Sequence, residues 1–370
     1  AELIGTNQIL TQVREDEDDN LYVYAYNYCD DEHKFLQNRN YQPESHGTLA
    51  NADMAVDGLY IPYSIDPWTG EVGKIADYRY ENGRTVINLT LEYNDVALLA
   101  FEPAGAEELH AVFSDADLTN RDGTFSIRAT QSGTYNTILS DGSAYETTLN
   151  VPAAAELTGW NLNVEDWTPG DPEYRSETRR TTVYDAASNT YDEVDLETTE
   201  VRYATNKDIL SAKLDSLTTW ENIPEIGKDV SGIGYYTTTF DWDSSHGANL
   251  SFGGVYDSFT KVIVNGTTLD KVDNVNDSID IGAYLVDGQN ELTIVTASTL
   301  RNRAALEGGS QNTVMFDYGL QTAVLDSYTD TPLSNAADPV RVTDLNGNSI
   351  TRAVTNEQFV VEVTTTSGAQ

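Results

Sequence analysis

Apolar and polar residues alternate with a period of two along most of the chain, the spacing that sends successive side chains to opposite faces of a β-strand. In Leu21-Tyr22-Val23-Tyr24-Ala25-Tyr26-Asn27-Tyr28, four tyrosines fall on one face and Leu21, Val23 and Ala25 on the other. The same reading predicts strands over Tyr60–Asp66, Thr85–Glu92, Val96–Phe101, Thr124–Thr130, Ala144–Val151 and Trp160–Trp167. It continues over Val201–Ala204, Tyr235–Trp242, Asn249–Phe252, Lys261–Val264, Glu291–Ala297 and Asn312–Phe316. Turn dipeptides that tolerate the positive φ of a tight hairpin stand between them, at Asn82-Gly83, Asp122-Gly123, Asp141-Gly142, Asn265-Gly266, Asp287-Gly288 and Asn346-Gly347. One stretch, Asp208–Leu217, has a weak helical spacing through Ile209, Leu210, Lys213, Leu214 and Leu217, and is a helical candidate. Strands and helices do not alternate as a parallel barrel requires. The predicted class is therefore all-β, built of antiparallel β-sandwiches.

Small-residue joints at Glu102–Ala106 and Val151–Ala155 mark breaks, and Thr168–Thr199 is polar and charged enough to read as a long surface excursion. Thr331-Pro332 and Asp338-Pro339 look like a linker. The expected division is residues 1–155 as one or more β-sandwich modules, 156–330 as a second module, and 331–370 as a linker leading into two strands, Val340–Asp344 and Phe359–Thr364. Those two strands read as the start of an immunoglobulin-like module.

Charge narrows the partners. With 21 Lys and Arg against 60 Asp and Glu, the net charge is −39, which excludes nucleic-acid binding through phosphate neutralisation and disfavours an anionic membrane surface. No apolar run is long enough to insert in a membrane. The single cysteine, Cys29, permits no intramolecular disulfide. Ala1–Thr6 has neither a basic nor an apolar leader region, so it reads as a mature end or as a cut within a longer chain.

A recognisable order of motifs runs through the second module. It opens with Leu157-Thr158-Gly159-Trp160-Asn161-Leu162 and passes through Thr219-Trp220-Glu221-Asn222 and Ser231-Gly232-Ile233-Gly234-Tyr235-Tyr236. It continues through Gly254-Val255-Tyr256-Asp257 to Val264-Asn265-Gly266, then Asp287-Gly288-Gln289-Asn290-Glu291-Leu292, and ends at Arg301-Asn302-Arg303. This order resembles the sugar-binding, galactose-binding-like jelly roll of family 2 glycoside hydrolases, in the version found towards the C-terminal end of family 106 α-L-rhamnosidases. The Tyr-rich first strand and Ile65-Asp66-Pro67-Trp68-Thr69-Gly70 are similar to the β-sandwich that follows the catalytic barrel in those enzymes. The resemblance implies a secreted, extracellular or cell-surface setting, carbohydrate as ligand and a preceding catalytic domain as partner. The (β/α)₈ domain that the family places before these modules has no counterpart here, so no catalytic acid or base carries over.

Aromatic rings are the best physical handle on a sugar, because the C–H face of a pyranose packs on an indole or phenol while polar groups meet its hydroxyls. Trp220, Trp242 and Tyr256 lie near predicted strand ends or turns and are the candidate platforms, with core or inter-sheet packing as the competing role. Arg301, Asn302 and Arg303 form a local basic spot suited to donating paired hydrogen bonds to a sugar or carboxylate, or else to an internal salt bridge or domain contact. Trp160 and Tyr236 are expected in the core, and Trp68 is expected to pack within its turn. Asp273–Ser278 and Asp344–Asn348 offer hard oxygen donors suited to a structural calcium, although Asn and Asp also dominate turns for local reasons. The four histidines share no metal spacing, and no hydrolase motif occurs. The expected function is the non-catalytic part of a secreted glycoside hydrolase similar to α-L-rhamnosidases. The alternatives are an independent carbohydrate-binding or adhesion module and a self-contained polysaccharide-degrading enzyme. The acidity favours neutral sugars over pectin-like polyanions.

Overall fold

The structure is a computed structural model that describes residues 2–4, 8–28, 49–92, 94–121, 123–254, 258–269, 271–273, 276–307, 315–333, 340–344 and 359–363. Its strands pair antiparallel throughout, and the all-β class holds. Among the described residues the only α-helix is Arg301–Leu306.

Three cores stack along one long sheet. In the first, the strands Ala50–Asp57 and Arg84–Leu91 face Leu21–Asn27 and Val96–Pro103, and Val23, Ala25, Met54, Ile87, Leu99 and Phe101 fill the space between. The tyrosine alternation reads as expected: Val23 and Ala25 are buried, whereas Tyr22 and Tyr24 are exposed. The second core is smaller and lies under Ala111–Ser114, Gly133–Leu139 and Ala144–Leu149. The third is the largest. A six-stranded sheet built on Trp160–Asp185, Thr190–Leu214, Gly232–Trp242 and Gly288–Ser298 packs on Gly247–Gly253 and Thr322–Pro332 around Trp160, Trp220, Tyr236, Leu250 and Ile294.

One strand joins the second and third sandwiches. Residues 322–328 of Thr322–Pro332 pair with Gly247–Gly253, and residues 329–332 pair with Ser126–Ala129. The expected linker residues Thr331 and Pro332 are thus sheet residues, because Ile127 and Ser126 stand opposite them. Arg128 fixes this joint. Its guanidinium forks onto Asp330 at 2.7 Å, reaches Asp280 at 3.1 Å and lies 3.7 Å over the Tyr328 ring, whose hydroxyl donates to Asp280. Gly247 and Gly282 leave room for that ring, since a Cβ on either would come within 2.3 Å of Tyr328.

The helical candidate over Asp208–Leu217 is corrected to strand. Leu210, Ala212 and Leu214 stand opposite Val164, Leu162 and Trp160 and turn towards the core, while Ile209 is exposed. Period two thereby prevails over the weak helical spacing. The expected surface excursion over Thr168–Thr199 is a two-stranded ribbon: Trp160–Asp185 and Thr190–Leu214 run far beyond the sheet, and the third strand stops pairing at Asp166. At about 3.3 Å per residue the projecting part is about 60 Å long. The strand expected over Asn312–Phe316 falls mostly outside the described residues, and Met315 and Phe316 are not in a strand. Val340–Asp344 and Phe359–Val363 form a separate antiparallel pair.

Candidate functional site

The turn Asp66–Gly70 lies between the strands Tyr60–Ile65 and Val72–Ile75. Asp66 organises it from within. One carboxylate oxygen accepts the N–H groups of Trp68 at 2.7 Å and Thr69 at 2.8 Å, while the Asp66 carbonyl accepts Gly70 N–H at 2.8 Å. Proline at position 67 presets the backbone, and Trp68 is 37% exposed. Asp66 closes the turn through the backbone, and Trp68 lines a groove beside it.

That groove, roughly 470 Å³, lies where the first sandwich meets Asp273 and Asn276 of the third. Its apolar side is formed by Pro67, Trp68, Val96 and Leu98, and its polar rim by Asp95, Asp273 and Asn276. The size falls in the range of about 300–1,000 Å³ usual for small-molecule sites. Lys271 ties the two sides by donating to the Thr69 carbonyl. Burial raises the Asp95 carboxyl above its ordinary range; the Val96 N–H and the Asn276 side chain oppose this, and the Asp273 charge adds to it. Asp273 accepts the Asn276 backbone and side-chain N–H groups at 3.1 and 2.9 Å. Next to it, burial and then the Asp273 charge push the half-buried Asp277 carboxyl up to about 6. A second cavity, roughly 720 Å³ and lined by Tyr63, Lys74 and Asn120, shares Glu71 and Gly73 with the first. An indole, carboxylate acceptors and an amide lining one groove can together hold a ring with an apolar C–H face and several donating hydroxyls.

Asp277 bears on stability with a definite sign. Its folded value near 6 exceeds the ordinary 3.8, so its stabilising contribution is present at low pH and lost as pH rises through 6. At neutral pH the buried charge is a cost. Asn also suits the left-handed backbone here, φ 48°. Asp277→Asn should raise unfolding free energy by about 1 kcal/mol at pH 7.5, after discounting for solvent screening. The gain should vanish below about pH 4, as thermal melts across that range would show.

The residues expected to touch sugar lie elsewhere. Trp220 is 1% exposed, with its indole N–H donated at 2.7 Å to the Tyr236 hydroxyl, so the ring is a core element rather than an accessible platform. Trp242 is partly buried against the third core, edge-on to Phe240, and donates to the His246 carbonyl. Tyr256 lies outside the described residues. Arg301 stacks its guanidinium 4.1 Å from the Phe316 ring. Asn302 is buried and clamps the carbonyls of Lys228 and Phe316 and the Phe316 N–H. Arg303 pairs with Asp166 at 2.7 Å. These three hold the short helix Arg301–Leu306 to its neighbours. Trp160 and Tyr236 are buried as expected. Of the expected calcium loops, Asp273 and Asn276 of Asp273–Ser278 line the groove, and residues 345–348 lie outside the described residues. Among the described residues no group of three or more His, Cys, Asp or Glu is arranged to hold a metal.

No protein-family model matches the sequence, and no curated protein matches it. Among solved structures, the rhamnosidase from Novosphingobium sp. PP1Y superposes with a TM-score of 0.53 at 18% identity. The match covers 89% of this chain and 25% of that one, so the chain spans about a quarter of the length of the enzyme it resembles. Its β-rich fold is rhamnosidase-like, and the chain is related in fold to a glycoside hydrolase.

Proposed function

We propose that this chain is a non-catalytic companion to glycoside hydrolysis that binds neutral carbohydrate in the groove between its first and third sandwiches. The observation that carries the reading is a groove lined by the half-exposed Trp68 together with the carboxylates of Asp95 and Asp273 and the amide of Asn276. The likeness of nearly the whole chain to one quarter of a rhamnosidase supports placing the hydrolytic step on a partner domain. A jelly-roll identity for the third sandwich, and a secreted or cell-surface setting, belong to the same reading. The rim acids and the −39 net charge would repel uronate chains and leave neutral sugars as ligands.

Titration with neutral rhamnose-containing oligosaccharides, followed by Trp68 fluorescence or calorimetry, tests this. Trp68→Ala should weaken binding about tenfold, or ~1.4 kcal/mol, without unfolding the protein. Oligogalacturonate should not bind. Reducing-sugar release should be absent from the same samples, and turnover abolished by one carboxylate substitution in this chain would overturn the proposal. The second reading, a self-contained hydrolase, draws on one observation: Asp277 keeps its proton to about pH 6 beside Asp273, as a general acid requires. Asp277→Asn in the release assay separates the two.

A further inference from the structure

The ribbon leaves an unusual edge. Thr190–Leu214 is the terminal strand of the six-stranded sheet, and among the described residues no strand pairs along its outer side. It runs 25 residues without proline or glycine, so it has neither of the interruptions that commonly blunt an exposed edge. Over its projecting part only one other strand supports it, and an isolated two-stranded ribbon is marginal in water. Its faces carry exposed Tyr191, Leu196, Val201 and Tyr203.

Charge along this arm differs from the rest of the molecule. Residues 168–207 contain five of the 21 Lys and Arg and nine of the 60 Asp and Glu; elsewhere acids outnumber bases 51 to 16. Two antiparallel copies of one strand can be related only by a two-fold axis that sets some residue opposite itself. With Val201 on that axis, Arg202 faces Glu200 of the second copy, Lys207 faces Asp195, Tyr203 faces Thr199, and no acid faces an acid. The neighbouring registers place Glu200 or Arg202 opposite its own copy, which like-charge repulsion disfavours. Within one chain Arg202 already lies 3.0 Å from Glu200, so both groups are on the same face and are positioned for a four-membered cluster.

We propose that Thr190–Leu214 is a self-association edge, through which two copies of this chain pair antiparallel about Val201 to make a four-stranded sheet from two ribbons. The opposed charges across the axis hold the register, and the paired edge supplies the backbone hydrogen bonds that the lone ribbon lacks.

Sedimentation of the full chain at about 100 µM and low salt should give twice the 40.7 kDa monomer mass, with a dissociation constant that rises with salt. Arg202→Glu should weaken the dimer about tenfold or more, and the swap Glu200→Arg with Arg202→Glu should restore it. Far-UV circular dichroism of each variant reports whether the fold survives. Hydrogen exchange over residues 192–210 should slow as concentration rises. A monomer at every concentration, a dimer indifferent to Arg202→Glu, or protection of this edge only by a different protein would each overturn the proposal.

Discussion

Replacing Tyr236 by Phe is expected to destabilise the third sandwich by about 3 kcal/mol, although it removes a single oxygen. The Tyr236 side chain is fully buried, and its hydroxyl accepts two hydrogen bonds: one from the Trp220 indole N–H at 2.7 Å and one from the Leu320 backbone N–H at 3.0 Å. Phe fills almost the same volume, so packing changes little. What remains is a pair of donors sealed away from water with no acceptor, each costing about 1–3 kcal/mol. Burial has already pushed the phenol up to about 12, so the group stays neutral across the working range and the loss should not depend on pH between about 5 and 9. Four of the five tryptophans, Trp160, Trp167, Trp220 and Trp242, belong to this sandwich, so tryptophan fluorescence follows its unfolding directly. A fall in midpoint of about 5–10 °C is expected. A shift within error would show that water reaches the Trp220–Tyr236 pair.

Asn290→Ala should cost a comparable amount, about 3 kcal/mol, for a different reason. Asn290 is buried near the start of the strand Gly288–Ser298, and its amide satisfies backbone in both senses. Its oxygen accepts the Val286 N–H at 2.9 Å and the Asn265 side-chain amide at 2.8 Å; its nitrogen donates to the carbonyls of Val286 and Gly288. Asn265 passes the connection on, accepting Glu291 N–H and donating to the Tyr284 carbonyl. Alanine removes all four bonds at Asn290 and loosens Asn265, which sits at φ 50° in its own turn. Chemical denaturation monitored by tryptophan fluorescence should show a lowered midpoint with an unchanged slope. Asn290→Asp should be as harmful or worse, because a carboxylate cannot donate to the two carbonyls.

Some of this architecture is readable in the chain because its causes are local. Asn82-Gly83 and Asn265-Gly266 both have positive φ at both residues, as a tight hairpin of the type I′ kind demands. The alternation through Leu21–Asn27 follows from one face meeting a core and the other meeting solvent. The misread helix over Asp208–Leu217 shows where local spacing fails: Leu210 and Leu214 fit both periods, and only the partners Val164 and Trp160 on the neighbouring strand decide between them. The groove was illegible for a related reason. It combines residues near 66–71, 95–99 and 273–276, and nothing local announces that Asn276 meets Asp95 or that Lys271 meets Thr69. A usable signal for Trp68 did exist, since Asp66-Pro67-Trp68-Thr69-Gly70 is a self-closing turn that needs no ring to hold it shut. Trp220 misled because the turn around Thr219 looks solvent-facing until the Tyr318 carbonyl is seen to accept the Trp220 N–H and draw it inward.

The strand Thr322–Pro332 also sets an order of events during synthesis. Ser126 pairs with Pro332, 206 positions later, and Gly247–Gly253 waits for the same segment. A nascent chain leaving the ribosome can finish its first sandwich early, but the other two sandwiches stay unsealed until this strand emerges. Until then the buried faces of Leu250, Phe252 and Ile127 are open to other chains, so cellular yield should depend more on how fast translation clears residue 332 than on the final stability of either half.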